Sequence, residues 1–318
     1  MRIGIPRGLL YYLYKPLWEK FFAELGLEVV VSKKTTKNTL KKGIEVTVDD
    51  ICLPVKIYHG HVISLKDNVD VVFIPRLVSI KNKEFICPKL MGLPDVIRAN
   101  IKDLPPIIEP TVDLTSSWLG FYRAVFEVGS YFTNKNTVIL KAFYKATKNF
   151  KNYTQALEKG ARPDEILEGC CNLLSNKAKF KILLLGHPYN LYDPFINLNM
   201  IKKIENYGAR VITPENFTET IFKTHLSKLN KPLFWTLGNK LLAAAYQLKE
   251  RRDIDGVILL VSFGCGPDSL IGELIERWIR KNTDIPFVLL TIDEHSGDAG
   301  LNTRIEAFMD MIERRKAT

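Results

Sequence analysis

Gly256-Val257-Ile258-Leu259-Leu260-Val261, followed by Phe263-Gly264-Cys265-Gly266-Pro267-Asp268-Ser269, decides the fold class. The first stretch is apolar throughout and too short for a helix. It reads as a strand buried on both faces, the signature of a parallel sheet covered by helices. A helical pattern over 268–280 follows, so this segment is a strand handing over to a helix. Similar handovers recur. Lys181-Ile182-Leu183-Leu184-Leu185-Gly186 is a buried strand, and helical patterns follow at 195–207 and 232–252. A strand is expected at 208–213, a last strand at 286–291 and a terminal helix at 301–315. Towards the start, 2–6, Val29-Val30-Val31 and 71–75 read as strands, and 14–25 as an amphipathic helix carrying Leu17, Phe21, Phe22 and Leu25. Strands alternating with helices imply α/β units with parallel sheets.

With 318 residues the chain exceeds what one core usually serves. The expected organisation is an N-terminal α/β domain over 1–112, a helical interdomain segment over 113–178, and a C-terminal Rossmann-like α/β domain over 179–318. The middle segment carries helical patterns at 118–132, 137–159 and 163–174, interrupted at Gly129 and Gly160.

Composition excludes several classes. No apolar run reaches the length of a transmembrane helix, and the N-terminus lacks the apolar segment and cleavage site of a signal peptide. No membrane association is expected, and the expected location is the cytoplasm. Net charge is +10, from 45 basic and 35 acidic residues. The lysines are spread rather than striped; the densest run, 145–151, reads as a solvated helix face. No helix-turn-helix, zinc-finger or RNP signature occurs, so no nucleic acid partner is expected.

Three of the five cysteines occur in matching contexts: Cys52 in Ile51-Cys52-Leu53-Pro54, Cys87 in Ile86-Cys87-Pro88-Lys89, and Cys265 in the loop quoted above. Each is followed within two residues by proline, which is well tolerated in the first turn of a helix. A thiol there meets the positive end of the dipole, which favours the thiolate, the metal-binding form. The three are therefore expected to converge on one metal centre, most simply an iron–sulfur cluster. The plainer reading is three buried, inert thiols. Cys170 and Cys171 are adjacent on a helical pattern and point about 100° apart, so they do not readily share one metal; at least one is assigned to the core.

Other chemistries stay open on residues alone. Gly264-Cys265-Gly266-Pro267-Asp268-Ser269 imitates a dinucleotide-binding turn, but Ser269 replaces the third glycine and no acidic residue ends a following strand. No G-x-x-x-x-G-K-[ST] occurs. A zinc site of scattered cysteines with His295 or His59 as fourth ligand lacks the close cysteine pair such sites usually carry. In Tyr58-His59-Gly60-His61 the two histidines read as surface or capping residues. A Cys265–His295 nucleophilic pair leaves Cys52 and Cys87 without a role. By the rule for open α/β sheets, His187, Cys265 and Asp293-Glu294-His295 gather at the carboxyl edge of the second sheet. His295 and Glu294 are the candidates for acid/base or donor roles there.

Taken together, Ile3-Gly4-Ile5-Pro6-Arg7-Gly8-Leu9-Leu10-Tyr11-Tyr12, Cys52-Leu53-Pro54-Val55-Lys56 with His59-Gly60-His61, Ile86-Cys87-Pro88-Lys89, Phe263-Gly264-Cys265-Gly266-Pro267-Asp268-Ser269, and Asp293-Glu294-His295 through Thr303-Arg304-Ile305-Glu306-Ala307-Phe308 resemble the acyl-CoA dehydratase activase-related proteins, or CoA protein activases, of anaerobes. That group is similar to the 2-hydroxyacyl-CoA dehydratase and benzoyl-CoA reductase subunits and to the double-cubane cluster proteins. The resemblance implies two Rossmann-like domains with the cluster between them, and three ligands, Cys52, Cys87 and Cys265. It also implies an ATP-dependent activase partner that supplies low-potential electrons, with a paralogous subunit or homodimer and an acyl-CoA as further candidates. The implied role is an electron-transfer or reductase/dehydratase-like component; the alternative is a non-catalytic scaffold or assembly protein that binds a cluster or acyl-CoA. Three thiolates suit a [4Fe-4S] cluster with one open iron. A double-cubane [8Fe-9S] centre needs more thiolates, from Cys170, Cys171 or a partner. Backbone N–H groups of Gly264 and Gly266 are the expected donors to cluster sulfur.

Overall fold

The computed structural model describes residues 1–169, 178–227 and 233–317, and the strands within them pair in parallel. They fall into two units, Met1–Gln155 with Leu233–Thr236, and Ala156–Pro232 with Leu237–Thr318. The mixed α/β class expected from the sequence holds in both.

In the first unit β1 (Arg2–Ile5), β2 (Glu28–Val31), β3 (Val71–Phe73), β4 (Arg76–Ser79), β5 (Ile107–Ile108) and β6 (Thr111–Asp113) form two sheets. The larger has the order β2-β1-β3-β5, and β4 pairs separately with β6. Helix Tyr11–Glu24 follows β1 and lays Trp18 and Phe22 on Phe73, with ring centroids 4.7 and 5.1 Å apart. Pro16 lies inside this helix and has no N–H to give the carbonyl of Tyr12 one turn back. The Tyr153 hydroxyl, from helix Asn136–Glu158, donates to that carbonyl at 2.5 Å. A sequence-imposed defect in one helix is thus satisfied by a side chain of another.

Helix Leu53–Leu65 leads into β3 and is buried on almost every side. A Cβ on Gly4, inside β1, would meet Leu65, whereas one on Gly8, beyond the end of β1, would meet Tyr58. The helix therefore runs antiparallel to β1, with its N-terminus towards the carboxyl ends of the strands.

In the second unit β7 (Phe180–Gly186), β8 (Ala209–Ile212), β9 (Gly256–Ser262) and β10 (Phe287–Ile292) have the order β10-β9-β7-β8. The two central strands, β7 and β9, are buried almost throughout, as their apolar stretches 182–185 and 257–261 require. Successive strand residues face opposite sides of a sheet. At Gly256 a Cβ would meet Ile312 and Phe308 of helix Asp298–Ala317, while Leu259 approaches Gly272 of helix Gly266–Asn282. Because 256 and 259 differ in parity, these two helices cover opposite faces of β9.

Three expected helices differ. The expected helix over 195–207 is shortened to Met200–Asn206, and a further short helix, Pro188–Tyr192, precedes that stretch. Between them the Asp193 carboxylate accepts from the N–H groups of Phe195 and Ile196, and Leu198 and Asn199 take positive φ. Such local side-chain bonds compete with helix. The expected helix over 232–252 is Thr236–Tyr246, then a 3-10 turn, Gln247–Lys249; its start is held back because Thr236 donates to the carbonyl of Phe85. The expected helix over 163–174 is Pro163–Glu168, ending at Gly169 with φ of 71°. Cys170 and Cys171 lie outside the described residues.

Candidate metal-binding thiols

All three singled-out cysteines are N-caps, and each following proline occupies the first or second helical position. Cys52 opens helix Leu53–Leu65, Cys87 opens the short helix Pro88–Met91, and Cys265 opens Gly266–Asn282. All are half-buried and free of disulfides.

In the first unit, Cys52 and Cys87 are close enough to feel each other's charge. Burial pushes the Cys52 thiol up from its ordinary value, partly offset by the Lys89 cation and the Val55 backbone. The expectation of a dipole-lowered thiol is thus corrected for Cys52: desolvation outweighs the helix end. Cys87 is held by the segment before it. The Ile86 N–H donates to the Val78 carbonyl at 3.0 Å, and Phe85 exchanges backbone hydrogen bonds with Phe234 and Thr236, both 2.9 Å. The rings of Phe85 and Phe234 stack at 4.4 Å and 9°.

The two neighbouring histidines are buried, 0% and 1% exposed, not surface residues. His59 bonds the Val55 carbonyl through Nδ1 and Asn100 through Nε2. His61 bonds Ser32 and Thr35, each at 3.0 Å. Both ring nitrogens are engaged in each case, so His59 has no lone pair left for zinc. Burial, with the Arg7 cation, holds His61 down to about 3.

In the second unit, β7 and β9 are neighbours whose onward connections diverge, to β8 on one side and β10 on the other. That is a topological switch point, where ligands of open α/β sheets bind. His187 follows β7 and Cys265 follows β9. Gly264, with φ of 73°, supplies the left-handed turn that points the chain from β9 into the helix, and Gly266 is the first helical residue. Cys265, His187 and Asp268 place one donor atom each within 4.8 Å of the others. His187 and Asp268 are 4% and 3% exposed. In the sequence nothing marks Asp268 as a ligand: at the fourth position of the Cys265-Gly266-Pro267-Asp268 turn it reads as a helix-start acid.

Glu294 and His295 follow β10 on the outer side. Asp293 organises that loop, accepting from the His295 N–H at 3.0 Å and the Ser296 hydroxyl at 2.8 Å. His295 is exposed. The histidine brought to Cys265 is His187.

Two family descriptions match the chain. Residues 2–217 match the CoA enzyme activase uncharacterised domain, and residues 129–312 match the 2-hydroxyglutaryl-CoA dehydratase D-component. Among curated proteins, one named as dehydratase subunit YjiM of Escherichia coli strain K12 is 24% identical over 128 residues, 36% of this chain and 33% of that protein. The uncharacterized protein MJ0800 of Methanocaldococcus jannaschii is 24% identical over 119 residues, 36% of this chain and 28% of that protein. The match thus spans about a third of each relative's length. Among solved structures, the C-terminal domain of a Francisella tularensis glucosamine-fructose-6-phosphate aminotransferase overlays 98% of this chain and 83% of its own at 12% identity, with a TM-score of only 0.22. No helix among the described residues is long and apolar enough to cross a membrane.

Proposed function

The chain belongs to the CoA enzyme activase and 2-hydroxyglutaryl-CoA dehydratase D-component families, and on that premise we propose that it is an iron–sulfur component that receives low-potential electrons from an ATP-dependent activase. The observation that carries this reading is the repeated device at Cys52, Cys87 and Cys265, a half-buried thiol at a helix N-cap with proline behind it. The donor set fits a cluster: three soft sulfur ligands, none in a disulfide. Cys52, Cys87 and Cys265 would hold the group, which supplies one-electron chemistry when bound. The desolvated Cys52 favours its protonated form without metal, so loading releases a proton. An arrangement with the cluster between two Rossmann-like domains, and an acyl-CoA substrate, belong to this same proposal.

Iron, acid-labile sulfide and zinc in anaerobically purified protein test it, with EPR before and after dithionite. About four iron and four sulfide per chain support the three-cysteine cluster, and about eight iron the double cubane. Zinc alone, or no metal after reconstitution, overturns the reading. Cys265→Ala is expected to lose the cluster while the circular dichroism of the fold is retained.

A further inference from the structure

Beyond the cluster, we propose that His187, Cys265 and Asp268 form a site for one divalent transition-metal ion, of the zinc or ferrous class, within the second unit. The ion and a cluster compete for the Cys265 thiolate, so the ion occupies chains that carry no cluster.

The first support is orphaned polarity. His187 Nε2 and both Asp268 carboxylate oxygens are buried and make no hydrogen bond. Native interiors rarely leave three such atoms together. His187 Nε2 and Asp268 Oδ1 lie 3.2 Å apart, yet without the alignment of a hydrogen bond. Metal–ligand bonds of about 2.0–2.1 Å at a tetrahedral angle place neighbouring N and O donors about 3.3 Å apart. The observed spacing is that of two ligands on one ion.

The second support is the tautomer. His187 Nδ1 is hydrogen-bonded to the Tyr189 hydroxyl. With the Nδ1 proton donated to that oxygen, the Nε2 lone pair faces Asp268 and Cys265. An outer hydrogen bond of this kind fixes metal-ligating histidines.

The third is the chemistry of the set. One nitrogen, one sulfur and one carboxylate oxygen suit zinc or ferrous iron, not the all-oxygen shells of calcium or magnesium. Three protein ligands leave a position open. A thiolate and a carboxylate together carry the charge that a divalent cation neutralises, which makes their burial tenable. All three donors sit at the β7–β9 switch point, on the ends of the two most buried strands.

The test uses the full chain as the Cys52→Ser/Cys87→Ser variant, which cannot hold the three-cysteine cluster but keeps every donor of this site. It is titrated anaerobically with Co²⁺. One Co²⁺ per chain is expected, with a near-ultraviolet thiolate-to-cobalt charge-transfer band and visible bands of tetrahedral intensity, all abolished by added Zn²⁺. Adding Cys265→Ser should remove the charge-transfer band. His187→Ala and Asp268→Asn should each weaken cobalt binding at least tenfold, with the folded circular dichroism signal checked alongside. Absence of the band in the double variant overturns the proposal even if the ligand variants fail to fold. So does affinity unchanged in folded His187→Ala and Asp268→Asn proteins. Iron and sulfide in the wild-type chain decide the cluster separately, so the two readings fail by different measurements.

Discussion

Gly60→Ala tests how helix Leu53–Leu65, and with it Cys52, is held. The helix crosses Lys37–Ile44 at two glycines. A Cβ on Gly60 would lie 1.9 Å from the Thr39 carbonyl oxygen, and one on Gly43 would lie 1.9 Å from that of Lys56. Even a close C–H···O contact needs about 3.3–3.6 Å, so the helices must part by roughly 1.5 Å. The obstructing atoms are backbone and cannot rotate away. Overpacking of this kind costs about 1–3 kcal/mol, and the upper end applies here. Better helix propensity returns about 1 kcal/mol. A net loss of ~2 kcal/mol is expected, which for a urea m-value of about 3 kcal/mol/M shifts the midpoint down by about 0.7 M. Fluorescence of the buried Trp18 in the same unit reports the transition. Gly300→Ala is the control: the same substitution, in helix Asp298–Ala317 with nothing within 4 Å, should stabilise by up to about 1 kcal/mol. A Gly60→Ala midpoint at or above wild type would refute the close-crossing argument.

Tyr153→Phe should cost about 1 kcal/mol, because it removes the hydroxyl that donates to the Tyr12 carbonyl opposite Pro16; thermal unfolding that matches wild type would contradict this. Arg162 bonds Glu205 at 2.5 Å, Glu165 at 3.0 Å and Asp164 at 3.3 Å, with its own side chain 9% exposed. Arg162→Met strands these carboxylates and should destabilise by about 3–5 kcal/mol at pH 7, and by less at low pH, where Glu165, whose carboxyl burial pushes up, takes up a proton. His61 is held down to about 3, below its ordinary value of 6.5. Between those limits the unfolded chain binds a proton that the folded chain does not, so stability is full above pH 6.5 and falls as pH drops. From pH 7 to 5 about 2 kcal/mol should be lost through His61, and a His61→Gln variant should lose correspondingly less in urea titrations at the two pH values.

What the sequence made legible was what has a local cause. β7 and β9 carry the apolar stretches 182–185 and 257–261, and their burial follows. The three cysteines announce themselves because each is followed within two residues by a proline, which is well tolerated in the first turn of a helix. Helix Leu53–Leu65 was hidden for the opposite reason: buried on nearly all sides, it has no polar face to set a 3.6-residue period, and its histidines look like surface residues until Ser32, Thr35 and Asn100 are folded around them. The break at 193–199 depends on which backbone groups Asp193 and Asn197 reach, Asn197 donating to the Leu191 carbonyl at 2.5 Å. The association of His187 with Asp268 follows from strand order, which no spacing in the sequence encodes.

The stack of Phe85 on Phe234 has a consequence for cutting the chain. Residues 233–236 belong with the first unit although the segments on both sides of them belong with the second. A fragment stopped at 155 would lack the edge that Phe85 pairs with, two residues before Cys87, and a fragment begun at 156 would carry that edge as an orphan. No single scission, by protease or by gene truncation, yields either half whole. Recombining separately expressed halves should therefore require them to exchange this short tether before the first half can present both of its thiols.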